Sequence, residues 1–359
     1  MTWRDVSPDA SPRRAAARQP CRARGGAIGT RTQTRVPHRG KLNETDGFPM
    51  PRSLLRHALA LLVALGLLSA CVTPSGDAGS GGVASRCQPT LVAELPLRDA
   101  RGFLAVPAAL NGQTTTLLID TGAETTTLTP RAATELHLPA DRAHDRLLAG
   151  ITGTVRSSGV LLRQVALGGT VIANDRGASV GALPSLDGLD PPVAGLLGAD
   201  ILSGFDVELD PPAHRMALYA PSVCKDWRPW PKAVTARIQR GVTGLVLLDA
   251  RVDGQAVRAL FDTGARTSLL TRERALALGV TTRMLQGDEA RTGRGVGGGS
   301  ATFRQHRFAT LAVGGAADRD VPINVADLSL PGVEMLLGAD FLAHRRVWIS
   351  YSTGRLFLR

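Results

Sequence analysis

The sequence predicts an all-β protein of two tandem lobes, with one or two short helices in each. Three observations predict it. Four landmarks recur in the same order in the two halves of the chain. Many short runs rich in Val, Leu and Ile are bounded by Gly, Asn, Asp and Pro, the composition of strands and turns. Helical periodicity is confined to short pieces, residues 131–137 and 272–278. At 359 residues the chain has room for two modest domains, and its 43% hydrophobic content lets each bury a core.

In chain order, residues 1–49 come first. They are rich in Arg, Pro and Ala, lack periodicity and read as a disordered leader. They hold ten basic residues against four acids, and with Arg52 and Arg56 they supply most of the net charge of +11. The rest is close to neutral and has no basic run interleaved with aromatics, which excludes a nucleic-acid partner. Residues 50–70 read as a signal peptide. Arg52 and Arg56 precede an apolar run from Ala58, and Leu68-Ser69-Ala70-Cys71 offers small residues for cleavage. As a helix, Ala58 to Ala70 would reach only about 20 Å, short of a bilayer core near 30 Å. The stretch resembles a bacterial lipobox, which implies cleavage before Cys71 and lipidation of its thiol. Translation is then expected to begin at Met50. Val72 after the cysteine implies sorting to the outer membrane, with the protein facing the periplasm.

Residues 71–88 are Gly/Ser-rich and read as a flexible tether. The first lobe is expected over 89–222, a Pro-rich linker over 223–235 and the second lobe over 236–359. Cys87 and Cys224 flank the first lobe. An exported compartment permits a disulfide between them, and two unpaired thiols are the alternative. With no CxxC, HExxH or Cys/His cluster, no metal and no cofactor are expected.

The repeat carries the chemistry. Leu118-Ile119-Asp120-Thr121-Gly122-Ala123 returns as Leu260-Phe261-Asp262-Thr263-Gly264-Ala265. Each copy follows a hairpin signal, Asn111-Gly112 and Asp253-Gly254. Downstream, Leu196-Leu197-Gly198-Ala199-Asp200 returns as Leu336-Leu337-Gly338-Ala339-Asp340, 78 and 76 residues after the respective aspartates by Asp-to-Gly count. A Leu167-Gly168-Gly169 turn matches Val313-Gly314-Gly315, and the lobe ends match as Arg215-Met216-Ala217-Leu218 and Arg355-Leu356-Phe357-Leu358.

These landmarks resemble the retropepsin-like aspartic proteases, over roughly residues 90–359. The resemblance implies two acid-protease lobes related by a pseudo-two-fold axis within one chain, hence a monomer. It implies an aspartic endopeptidase acting on peptide or protein, with water activated by Asp120 and Asp262. Two adjacent carboxyls cannot both ionise cheaply, so such a pair holds one proton; aspartic proteases are the standard example of this rule. Thr121 and Thr263 are expected to cross-link the two loops, and Gly122 and Gly264 to permit close approach. Asp200 and Asp340 read as structural acids. The pepsin-type flap tyrosine is absent, because Tyr219 and Tyr351 both lie near lobe ends.

Gly150, Ile151, Thr152 and Gly153 form one candidate substrate flap, and Gly295, Val296, Gly297 and Gly298 the other. An ordinary β-turn is the alternative for each. Two motifs are set aside. Gly293 to Gly298 matches GxGxxG without a following helix, and Gly177 to Gly181 matches GxSxG without a strand–turn–helix context. The competing function is a catalytically silent, lipid-anchored peptide-binding module of the same fold.

Overall fold

The computed structural model describes residues 88–359, apart from 151–152, 184–185, 187, 222–223, 225–226, 241–242, 297–298 and 329. The expected leader, the expected signal peptide and all but the last residue of the expected tether, with Cys71 and Cys87, lie outside the described residues. In the first half the strands are β1 (Leu91–Pro96), β2 (Arg98–Asp99), β3 (Leu104–Leu110), β4 (Gln113–Ile119), β5 (Thr127–Leu128), β6 (Arg146–Gly150), β7 (Gly153–Leu167), β8 (Thr170–Val180), β9 (Gly195–Leu197), β10 (Asp206–Asp210) and β11 (Arg215–Tyr219). Two helices accompany them, α1 (Pro130–Glu135) and α2 (Ala199–Leu202). In the second half the strands are β12 (Val234–Arg240), β13 (Val246–Val252), β14 (Gln255–Phe261), β15 (Leu269–Thr271), β16 (Glu289–Arg294), β17 (Ser300–Val313), β18 (Ala316–Ala326), β19 (Met335–Leu337), β20 (Val347–Ser350) and β21 (Arg355–Leu358). Its helices are α3 (Arg272–Ala277), α4 (Thr282–Gly287) and α5 (Ala339–Leu342).

The two halves share one topology. In the first, neighbours run β3-β4-β9-β5-β8-β7-β6; in the second, β13-β14-β19-β15-β18-β17-β16. Each curls on itself through one further pairing, β3 with β7 and β13 with β17. The register repeats too, since Ala105 faces Leu118 as Leu247 faces Leu260. Both hairpins turn where the sequence requires a left-handed backbone: Asn111 and Gly112 have φ of 51° and 80°, Asp253 and Gly254 of 49° and 79°. Strand alternation buries one face of each hairpin, and Leu117, Ile119, Leu197, Ala259, Phe261 and Leu337 join a core that runs through both halves.

The helices end slightly before the periodicity does. Thr129 and Thr271 cap α1 and α3 through their hydroxyls. His137 (φ 48°) and Gly279 (φ 97°) then turn the chain out of the helical region. Helix α4 was not expected; it buries only Leu285 and is too short for a period to show.

Six strands join the halves in the mirrored order β1-β11-β10-β20-β21-β12. The junction pairs Val207 with Ile349, Glu208 with Trp348 and Leu209 with Val347. Two acids that are buried here find partners across the junction. Asp206 accepts from Ser350 Oγ (3.1 Å), Ser352 N (3.0 Å) and Ser352 Oγ (2.8 Å). Buried Glu208 pairs with Arg215 at 2.6 Å and with Arg346 from the other half. Within the expected linker Trp230 is buried, Trp227 lies 4.6 Å from Trp348 between ring centroids, and β12 already begins at Val234. Cys224 is disulfide-bonded.

Candidate active site

Each aspartate of the repeat sits where a strand of the hairpin runs out. Asp120 follows β4 and its N–H donates to Leu197 O (3.0 Å); Asp262 follows β14 and donates to Leu337 O (2.9 Å). Those carbonyls belong to β9 and β19, which lie parallel to β4 and β14. The downstream glycines let a second loop cross close by. A methyl at Gly198 would sit 2.6 Å from the Thr125 carbonyl carbon, and one at Gly338 2.6 Å from that of Thr267. Asp200 then accepts from Thr126 N and Oγ1 (both 2.8 Å), and Asp340 from Ser268 N (2.8 Å) and Oγ (2.7 Å). Burial raises both carboxyls above the usual range, while these donors oppose the rise. They hold the loops that carry the site and stay out of the cleft.

The two loops are tied across the pseudo-axis. Thr121 N donates to Thr263 Oγ1 (3.1 Å), and Thr263 N to Thr121 Oγ1 (3.1 Å). Thr121 Oγ1 donates to Phe261 O and Thr263 Oγ1 to Ile119 O, both at 2.6 Å. Each hydroxyl is therefore donor and acceptor at once, a task that Val, its isostere, cannot perform. All four bonds are buried, where an unmet partner costs roughly 1–3 kcal/mol.

The carboxyls meet above this lattice. A methyl at Gly264 would lie 2.2 Å from Asp120 Oδ2, and one at Gly122 2.3 Å from Asp262 Cγ. Only a residue without Cβ fits at either position, because the opposite carboxyl fills the space. Asp120 is 1% exposed and Asp262 0%. Asp120 Oδ1 accepts from Gly122 N (3.0 Å); Asp262 Oδ1 accepts from Gly264 N (3.0 Å) and Ala265 N (3.1 Å). Asp262 Oδ2 is buried with no geometrically placed donor among the described residues. Burial and the adjacent Asp120 carboxyl push Asp262 up to about 7. Such a pair retains a proton far above the ordinary carboxylate range.

A cavity of about 350 Å³ opens beside Asp120. Its walls are largely apolar, with Leu148 and Leu196 from the first half facing Leu260, Leu330, Val333 and Leu336 from the second. The hairpins β6–β7 and β16–β17 lean over it. Gly150 closes β6 and Gly153 opens β7; Gly295 and Val296 lie between β16 and β17. The remaining flap candidates, Ile151, Thr152, Gly297 and Gly298, lie outside the described residues. The two hairpins meet, since a methyl at Gly150 would stand 2.8 Å from Val296 O. The set-aside motifs begin or lie in β-structure: Gly293 and Arg294 of GxGxxG end β16, and Ser179 of GxSxG is a buried residue of β8. The cavity-lining residues Glu124, Arg146, Leu245 and Val333 were not singled out by sequence. Superposing the two repeats would have flagged Glu124, which immediately follows the matched Asp-Thr-Gly-Ala.

Residues 106–201 match the family model described as aspartyl protease, and residues 248–344 match that described as gag-polyprotein putative aspartyl protease. The chain belongs to the retropepsin-like aspartyl proteases. Together the two matches cover more than half of it, one per lobe, and each contains its Asp-Thr-Gly. Nothing among curated proteins matches. Among solved structures, an aspartic proteinase from Irpex lacteus is similar with a TM-score of 0.40 and 16% identity, over 74% of this chain and 96% of that one; so distant a likeness carries no argument. Both lobes of this retropepsin-like protein thus carry an Asp-Thr-Gly copy within one chain.

Proposed function

We propose that this protein is an aspartic endopeptidase in which Asp120 and Asp262 act as one dyad. The observation that carries the reading is the mutual fit of glycine and carboxyl across the pseudo-axis, which leaves the two acids adjacent and buried. The pair holds a single proton. Its ionised member takes a proton from water, and that water attacks the scissile carbonyl carbon. Its protonated member hydrogen-bonds the carbonyl oxygen and stabilises the developing oxyanion. Collapse of the tetrahedral intermediate returns a proton to the leaving amine. The Thr121–Thr263 lattice keeps the carboxyls in register, and the two hairpins close over the bound peptide.

The test is cleavage of a peptide library over a range of pH, with Asp120→Asn and Asp262→Asn as controls. Turnover by the unsubstituted chain and its loss by at least about 10³-fold in either variant, with cooperative unfolding retained, is the expected outcome. Peptide binding without turnover at any pH would contradict it and select the silent binding module.

The proposal extends to location: the chain works as a monomer, held through a lipid on Cys71 in a bacterial envelope and facing the periplasm. Leu68-Ser69-Ala70-Cys71 and the Gly/Ser-rich tether support this. Fatty-acid labelling of the chain expressed in a two-membrane bacterium should be lost in Cys71→Ser; equal labelling of the variant would contradict it.

A further inference from the structure

The pseudo-two-fold repeats the site residue by residue through Asp, Thr, Gly and Ala, and breaks at the next position. There the first lobe has Glu124 and the second Arg266. The arginine is committed. Its guanidinium lies over the Phe103 ring, 4.8 Å from the centroid, and its stem packs on Gly102. The residue that corresponds to Phe103 in the other lobe is Leu245, at the same offset of 142 that relates Thr121 to Thr263. Leu245 lines the cavity beside Asp120 together with Glu124. Glu124 is exposed and makes no hydrogen bond or ion pair among the described residues. Arg146 lines the same cavity, and its guanidinium is engaged by Thr125 Oγ1 (2.9 Å) and His144 O (3.3 Å) rather than by Glu124. A carboxylate thus stands at the mouth of a largely apolar pocket next to one half of the dyad, with no ion pair among the described residues.

We propose that Glu124 makes the cleft directional by receiving a lysine or arginine side chain of the substrate on this one side of the scissile bond. A long basic side chain suits both features of the pocket: its methylene stem covers Leu245 and Leu260, and its head reaches the carboxylate. On the other side of the pseudo-axis, Arg266 offers no such acceptor. Substrate polarity is therefore read from a single position where the duplicated lobes have diverged. The inference rests on the peptide-cleaving reading above, and its test separates the two.

Matched peptides carrying Lys, norleucine or Glu at successive positions around the scissile bond are compared, with free and acetylated N-termini. Cleavage is read on the unsubstituted chain, Glu124→Gln and Glu124→Arg, and binding is read by calorimetry on the same chains with Asp120→Asn added. Since Glu124 is exposed, matched melting curves are expected for the variants. At one position Lys should exceed norleucine by roughly tenfold, as a charge-assisted contact allows. That ratio should fall to near unity in Glu124→Gln, and the Glu peptide should overtake in Glu124→Arg. No Lys preference, or one that survives Glu124→Gln, overturns the proposal. A preference that vanishes on acetylation and ignores the side chain assigns the cation to a chain end and also overturns it. A Glu124-dependent preference in binding with no cleavage upholds it while removing the peptidase reading.

Discussion

Asp262 shows how a single buried acid couples stability to pH. Unfolded, its carboxyl titrates near 4; folded, burial and Asp120 hold it at about 7. Between those values the native state binds more protons than the unfolded one, so stability falls as pH rises through that window. Asp200, Asp206 and Asp340 are raised in the same direction by burial and add to the slope. Asp262→Asn removes one contributor. Its unfolding free energy in urea should fall less between pH 4 and pH 7 than that of the unsubstituted chain, leaving it more stable at pH 7 by on the order of a few kcal/mol. Parallel curves for the two proteins would contradict this. The same proton sets the expected limit of activity, which is present at acid pH and lost as pH rises through about 7. At this scale the sequence was informative because Asp-Thr-Gly compresses the chemistry into three adjacent residues. Glu124 was marked only by the mismatch with Arg266 where the two repeats diverge, and Val333 lines the cleft through folding alone.

Among the elements, the hairpins were the most legible. Asn111-Gly112 and Asp253-Gly254 state their turn in two residues, and the observed positive φ values follow from that chemistry. The overhanging hairpins β6–β7 and β16–β17 could be suspected from glycine density, but their meeting could not, because Gly150 and Val296 come from opposite halves of the chain. Gly150→Val tests that contact. The added side chain must displace Val296, whose carbonyl oxygen lies 2.8 Å from the new Cβ position. Peptide turnover should drop on the order of tenfold, while the melting temperature stays close to that of the parent because the hairpin tip holds little of the core. Unchanged kinetics would show that the hairpin tips need not meet. Helix α4 escaped notice for a simpler reason, since one buried leucine in six residues makes no pattern.

At the level of the whole molecule, the duplication announced two lobes, while the surface that joins them stayed hidden. Asp206-Val207-Glu208-Leu209-Asp210 carries three acids in five residues, yet all five are buried. That makes sense only once Ser350, Ser352 and Arg346 arrive from the other lobe, a pairing more than a hundred residues away that no local pattern encodes. Breaking such a buried cluster from one side is strongly destabilising, so the junction between β10 and β20 fixes the lobes face to face within one chain. From this follows the central claim, that one chain completes one dyad. The most direct measurement is peptide hydrolysis by an equimolar mixture of the Asp120→Asn and Asp262→Asn proteins, set beside each alone and the unsubstituted chain. The account predicts an active parent, two inactive variants and an inactive mixture. Activity regained on mixing, or retained by either variant alone, would show that the acids do not work as an intramolecular pair.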